Sequence, residues 1–315
     1  MNLMVVIYLF IKLSKMKSKF TLATIIVNYK SEERTITYVK EELLSKCSIP
    51  QLIIIVNNKA TDESSEKMSN ALDAPIIKNI AECTIHSKIY VIHNPENSGF
   101  AKGNNLGVDF ITYHFSVEYL LFTNNDIRFI DSNVIEVLIG KLKSLPDVSI
   151  IGPKVVGLDG NCQSPLSYFP IYDRMVGIYW GRLFGYNVKR IDLNKAQEGY
   201  YYSVMGSFFI ANYCDYINCG KMDDNTFLYA EEIILAERLK VIGKHIYYFP
   251  DVKLLHEHGA TTSKNLRSVQ GAIINLKSLL YYYKTYLHER PWNIIVVKII
   301  NYIFIYSQYY FRKIK

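Results

Sequence analysis

Four short apolar runs in the first half of the chain each end in polar residues. Thr24-Ile25-Ile26-Val27 stops at Asn28, Leu52 to Val56 at Asn57, Ile89 to Ile92 at His93, and Tyr119 to Phe122 at Thr123. The first three are rich in β-branched residues, and all four read as buried parallel strands. Between the first two, Ile36, Val39, Leu43 and Leu44 recur at helical spacing within Glu32 to Lys46, so the chain opens on a βαβ unit. A second helix is predicted from about Asn104 to Phe115. A third runs from about Glu231 to Ile242, where Ile234, Leu235, Leu239 and Ile242 share a face and Gly243 supplies a C-cap. Ile246 to Phe249 reads as a further strand leading to His256-Glu257-His258-Gly259. The stretch from about Gly157 to Tyr202 reads as loop, with Tyr168, Tyr172, Tyr179, Trp180 and Tyr186 suited to a sugar site or to ordinary packing. The fold class is α/β, with ligands expected beyond the carboxyl ends of the strands.

Both ends of the chain depart from this pattern. From Trp292 onward it is strongly apolar, and Lys298, Asn301, Gln308 and Arg312 draw a polar stripe along one helical face. That pattern predicts a helix lying in a membrane interface ahead of one that spans it. Packing on its own domain or on a second subunit is the alternative. Leu3 to Ile11 is apolar but too short to span a bilayer and lacks a cleavage site. A start at Met16 and a membrane-touching segment both remain open for it.

Half of the 315 residues are apolar, enough for a sizeable core, which excludes a disordered chain. The net charge of +7 changes meaning once located. Lys12, Lys15, Lys17 and Lys19 near one end and Lys298, Arg312, Lys313 and Lys315 near the other account for it, with no acid beside them. The middle is close to neutral, which argues against a nucleic-acid groove and suits two tails on an anionic membrane surface. Five cysteines without CxxC spacing indicate neither a zinc site nor a disulfide framework, and a reducing cytosol is expected.

The chain has neither a GxxxxGKS nor a GxxxxGKT phosphate loop, and Gly99 to Gly107 does not match GxGxxG, so P-loop NTPases and NAD enzymes are disfavoured. That stretch offers an Asn/Gly turn whose backbone amides, with Lys102, suit a pyrophosphate. A loop needing glycine for its own geometry accounts for it equally well. Asp126 lies just past a buried strand, where a carboxylate reaches a divalent ion on two phosphates, or caps a turn. Glu231 and Glu232 open a helix, where acids also complement the macrodipole. His256 and His258 alternate on an extended segment, so at most one enters a shared site.

Together these segments resemble glycosyltransferase family 2, inverting enzymes of the GT-A fold, and especially its rhamnosyltransferase-like members that build bacterial surface polysaccharides. The resemblance runs through Ile25 to Tyr29, Val56 to Asp62 (similar to VDNxSxD), Asn94 to Gly107 (NxGFAxGNNxG) and Phe122 to Asp126 (LLNxD). It continues through Val204 to Ile210, Phe227 to Glu232 with Arg238 (FxYxED), and His256 to Thr262 (HxxGxS). The resemblance implies a catalytic domain over 20–265, with a nucleotide-binding half to 126 and an acceptor half after it; the tail patterns add an apolar and basic segment 1–19 and a membrane-associating helical segment 266–315. It implies a nucleotide-diphosphate sugar bound by Asn28, Tyr29, Asn57, Asp62, Gly99, Phe100, Lys102, Gly103, Asn104, Asn124 and Asn125. Asp126 and His256 would hold Mg2+ or Mn2+, Glu232 would be the general base with Glu231 in support, and Gly206, Ser207 and Arg238 would meet a glycan or lipid-linked acceptor. The expected place is the cytoplasmic face of a bacterial inner membrane, with a homo-oligomer left open. Asn57, Asn124 and Ile234 stand where the family usually has acids. That departure motivates the alternative of a non-catalytic sugar-nucleotide-binding homologue or partner subunit. A nucleotidyltransferase would carry a GxGTR-like turn where this chain reads Asn28-Tyr29-Lys30-Ser31.

Overall fold

The computed structural model describes residues 18–83, 86–177, 191–257 and 268–314. The four expected strands are present and longer than their apolar cores: β1 (Ser18–Asn28), β2 (Gln51–Asn58), β4 (Ile89–Asn94) and β5 (Phe115–Thr123), with a two-residue β3 (Ile76–Ile77) at the edge. They pair in parallel in the order β3-β4-β2-β1-β5. Three helices connect them: α1 (Glu32–Tyr38, continued by a π-helical turn Val39–Leu44), α2 (Asp62–Leu72) and α3 (Gly99–His114). The helix expected from Asn104 thus begins earlier, at Gly99, so the Gly/Asn stretch is its first turns rather than a loop before it.

Beyond β5 the sheet turns mixed. β6 (Ile127–Phe129), α4 (Val134–Lys143), β7 (Val148–Gly157), β8 (Gly199–Tyr201), β9 (Phe208–Asn212), α5 (Tyr213–Asn218), α6 (Glu231–Val241) and β10 (His245–His256) follow in sequence. Antiparallel β9 joins β5 to β7, β10 runs parallel to β7, and β6 and β8 both pair antiparallel with β10. Antiparallel pairing to β6 fixes His256 opposite Ile127, one residue past Asp126.

Alternation along the strands divides the core between the two faces of the sheet. Leu22, Ile26, Ile53, Ile55 and Leu121 face α1, α2 and α4 on one side; Ala23, Ile25, Ile54, Val56 and Phe122 face α3 and α6 on the other. A third apolar cluster joins α6 to two C-terminal helices, α7 (Val269–Thr285) and α8 (Pro291–Ile314), through Ile233, Ile234, Leu276, Tyr282, Tyr283 and Val297. No helix among the described residues is long and apolar enough to cross a membrane.

Candidate functional site

The polar ends of β1 and β2 are tied into the protein rather than left facing outward. Asn28 Nδ2 donates to Asn57 Oδ1 at 2.9 Å, and Asn28 Oδ1 accepts from Ser31 and Thr35. Asn57 Nδ2 donates in turn to Ser64 and Ser65. Both asparagines are almost wholly buried, so their side chains, expected on the nucleotide, instead lock β1 and β2 to the starts of α1 and α2. Asn125 likewise turns away, donating to Ser31 and Thr35, and Asn104 donates to the carbonyl of Phe100 in its own helix. Asp62 opens α2 behind a Thr61/Ser64 capping box and pairs with Lys78 at 2.9 Å on an exposed surface. Tyr29 is partly exposed and Lys102 exposed, so both remain accessible to a ligand.

Asn58, which the motif reading left without a role, organises the turn into α3. Its Oδ1 accepts from Asn94 Nδ2 and from the Ser98 amide and hydroxyl, while its Nδ2 donates to Asn97 Oδ1 and the carbonyl of Gly99. Gly99 has a φ of +84°, and a Cβ there would collide with the carbonyl oxygen of Phe227. The Phe100 amide donates to that same oxygen at 2.9 Å. Two motifs far apart in sequence are therefore joined by backbone, a contact open only to glycine. Gly103, expected beside the nucleotide, serves packing, because its bare face lies against Val27 of β1.

A cavity of about 590 Å³, a usual size for a small-ligand site, lies where these segments converge. Its walls include Phe100, Asn124, Gly206, Ser207, Glu231, Glu232 and His256 from expected site segments, and Leu166, Phe169, Arg174, Asn275 and Leu279 from segments without a motif. Tyr229 and Ala230 both hold positive φ, 74° and 71°, immediately before α6. Such backbone is costly for non-glycine residues and concentrates at functional sites. Here it delivers the acidic first turn of α6 to the cavity.

The two acids differ in what holds them. Glu232 Oε1 accepts the Gly206 amide proton at 3.1 Å, and a Cβ on Gly206 would collide with that carboxylate, so the glycine makes room for it. Glu231 is buried and its Oε1 has no hydrogen bond. Burial, and then the neighbouring Glu232 charge, push the Glu231 carboxyl up to about 8. Burial also raises Glu232, opposed by the Gly206 N–H and by the charge of Arg174. The pair titrates together, with its proton favoured on Glu231 and its charge on Glu232. A buried acid with a raised value stabilises the fold fully below the ordinary carboxylate value and progressively less as pH rises to about 8. Glu231→Gln is therefore expected to flatten the decline in stability between mildly acidic pH and pH 8, read from urea midpoints across that range.

Unpartnered polar atoms gather here. Ser207 Oγ, Tyr229 OH and Glu231 Oε1, all on cavity walls, are buried without a hydrogen bond, as is Asp126 Oδ1. Buried polar groups are nearly always paired, so such a group of exceptions marks a place for ligand polar atoms. Asp126 Oδ1 stands 3.2 Å from His256 Nε2. On its other side, His256 Nδ1 meets Gln163 Oε1 at 2.8 Å, and a carbonyl oxygen accepts only if Nδ1 carries the proton. In the neutral ring, Nε2 then turns its lone pair toward the carboxylate, an arrangement that fits a divalent cation, with Gln163 fixing the tautomer. Among the described residues no group of three or more His, Cys, Asp or Glu gathers to hold a metal, so further ligands would come from phosphate and water.

A family model described as glycosyl transferase family 2 matches residues 24–212, more than half of the chain. The chain belongs to glycosyl transferase family 2. The match ends before α6, so the placement of Glu231, Glu232 and His256 rests on geometry. Among curated proteins, the low-salt glycan biosynthesis hexosyltransferase Agl10 of Haloferax volcanii is 23% identical over 219 residues, 70% of this chain. The chain spans 61% of that relative's length. Among solved structures, GalNAc-T7 with UDP, GalNAc and Mn2+ superimposes with a TM-score of 0.55 at 12% identity, over 85% of this chain and 49% of that one. The mannosyltransferase PcManGT of Pyrobaculum calidifontis, in complex with GDP-Man and Mn2+, gives 0.53 at 12% identity, over 93% and 80%. At such identities the likeness concerns the GT-A fold.

Two family positions are explained by the packing of this member. Ile234, in place of an acid, is fully buried in the cluster formed with α7, where a charge would be costly. Arg238, expected at the acceptor, instead has its guanidinium bound to Asp223, to the carbonyls of Gly220 and Lys221 and to Tyr286 OH. Sequence reasoning missed Arg174, Gln163 and Asn275, which belong to no motif; an isolated arginine in an aromatic stretch was the one signal available. His258 and the rest of the segment to Thr262 lie outside the described residues, as do Tyr179, Trp180 and Tyr186.

Proposed function

We propose that this chain is an inverting glycosyltransferase that moves a hexosyl or deoxyhexosyl unit from a nucleotide-diphosphate donor to a hydroxyl of a lipid-linked glycan. It would serve surface-polysaccharide synthesis at the cytoplasmic face of a bacterial inner membrane. The observation that carries the reading is one cavity walled by Glu232, anchored on the Gly206 amide, and by His256, paired with Asp126. The Haloferax relative, named a hexosyltransferase, and the Mn2+ and nucleotide ligands of the two structural neighbours support it.

Transfer places positive charge on the sugar and negative charge on the departing diphosphate. Asp126 and His256 would hold Mg2+ or Mn2+, which supplies charge neutralisation at the leaving group. Glu232 takes the proton of the attacking hydroxyl from the opposite side, which makes the displacement a single inverting step. Glu231, kept protonated, donates to sugar oxygens together with Ser207 and Tyr229. Incubation with UDP-, GDP- and dTDP-sugars and a lipid-linked acceptor tests the reading. One donor is expected to release its nucleoside diphosphate with inversion at the anomeric carbon, to lose most of its rate with EDTA, and to regain it with Mn2+. Binding of a donor without release or transfer across the panel would favour the non-catalytic homologue.

A further inference from the structure

The C-terminal helix packs on the protein through Asn301 of its polar stripe and exposes an apolar face. Asn301, in the middle of the polar stripe, is buried and donates to the carbonyl of Met175 at 3.0 Å, and Val297 beside it is fully buried. On the opposite side Trp292, Ile295, Ile299, Ile303 and Tyr306 are 48% to 71% exposed. At 3.6 residues per turn these five fall within roughly a quarter of the helix circumference. A continuous apolar ridge of this kind is uncommon on a monomer's surface and marks an interaction site.

We infer that α8 docks the enzyme on an anionic bilayer, lying in the plane of the interface with this ridge among the acyl chains. Charge complementarity selects the partner. Lys298 is exposed beside the ridge, the sequence beyond Tyr306 adds Arg312, Lys313 and Lys315, and no acid occurs from Pro291 to Lys315. A basic helix with one apolar face fits the headgroup boundary. Its buried side is also wired to the cavity. Asn301 holds Met175 and Asn293 accepts from Tyr172, both in the segment that carries Arg174 into the cavity wall, while Asn275 and Leu279 of α7 line the cavity itself. A membrane against the ridge therefore lies behind the wall of the site that receives the acceptor. The inference rests on the glycosyltransferase reading only for the identity of that acceptor.

Flotation of the full chain tests it, using vesicles of phosphatidylcholine with and without phosphatidylglycerol. The protein is expected to float with the anionic vesicles. The combined substitution Ile295→Glu, Ile299→Glu and Ile303→Glu is expected to lower the bound fraction by about ten-fold or more. These side chains face outward, so an unchanged melting curve and unchanged donor hydrolysis would show that the fold and site persist. Failure of the wild type to float, equal flotation of the variant, or a wild-type dimer that the variant converts to monomers without any vesicle binding would overturn the inference. The last outcome would assign the ridge to a second copy of the chain. Donor hydrolysis measured without vesicles reports separately on the glycosyltransferase reading.

Discussion

Replacing Glu232 with glutamine is expected to lower the transfer rate by about 10²- to 10⁴-fold, the range associated with a positioned general base, with little change in donor affinity. Glutamine preserves the shape of the side chain and an oxygen for the Gly206 N–H, so the wall of the cavity stays in place. What is lost is the capacity to take a proton. Glu231→Gln is the control, because that carboxyl, pushed up to about 8, is already neutral near pH 7, and glutamine keeps both a donor and an acceptor there. Its effect is expected to be much smaller and to fall mainly on KM for the donor. The check is kcat and KM for both variants in a coupled assay of nucleoside diphosphate release with saturating acceptor. An inverted ranking, with Glu231→Gln inactive and Glu232→Gln active, would move the base to the other residue of the pair.

Much of the half expected to bind the nucleotide was legible in the sequence because its strands are buried on both faces and announce themselves as uninterrupted apolar runs. Which polar residues at their ends meet a ligand was not legible. Asn28, Asn57 and Asn125 occupy the positions at which a parallel sheet presents ligands, yet each finds an internal partner that appears only when α1 and α2 are packed against the sheet. An amide is suited to this use, since it both donates and accepts and carries no charge to desolvate. The packing of Gly103 was not legible for a related reason. Glycine spacing in a helix describes close approach equally to a phosphate or to Val27, and only the position of β1 decides between them.

The half expected to meet the acceptor was less legible because part of the cavity wall, including Leu166, Phe169, Arg174, Asn275 and Leu279, comes from segments without motifs. The orientation of α8 shows the limit of reading one helix alone. Its polar stripe was visible, but that stripe contains Asn301, whose amide is satisfied by the Met175 carbonyl once the helix docks. A periodic pattern gives two faces; which one meets solvent depends on the hydrogen-bond partners waiting on the neighbouring element.

Asp223→Ala is expected to destabilise the packing of the C-terminal helices by about 3–5 kcal/mol, the cost typical of removing one partner from a buried ion pair. Asp223 is buried between α5 and α6, where its Oδ2 lies 3.2 Å from Arg238 and accepts the hydroxyls of Tyr281 and Tyr286, and its Oδ1 accepts from the backbone and side chain of Asn225. Removal takes away the only carboxylate the structure pairs with Arg238 among the described residues, leaving it on the Gly220 and Lys221 carbonyls, and releases Tyr281 and Tyr286 at the end of α7 together. Because Asn275 and Leu279 of that helix line the cavity, the variant is expected to weaken acceptor binding more than donor hydrolysis. Burial alone would push the Asp223 carboxyl up, but the Tyr286 hydroxyl, the Asn225 amide and the Tyr281 hydroxyl outweigh it and hold the carboxyl below its ordinary value. A depressed carboxylate stabilises the fold fully above the ordinary aspartate value, and that contribution is lost as pH falls through the lower folded value. The wild type is therefore expected to keep its C-terminal helices docked through neutral and mildly acidic pH and to release them only in stronger acid. Asp223→Asn, which keeps the shape without the charge, should be intermediate in stability and lack that acid-dependent step. Urea unfolding at neutral pH and limited proteolysis across an acid series check both statements, and equal stability of the alanine variant and the wild type would remove Asp223 as the clasp between α6 and α7.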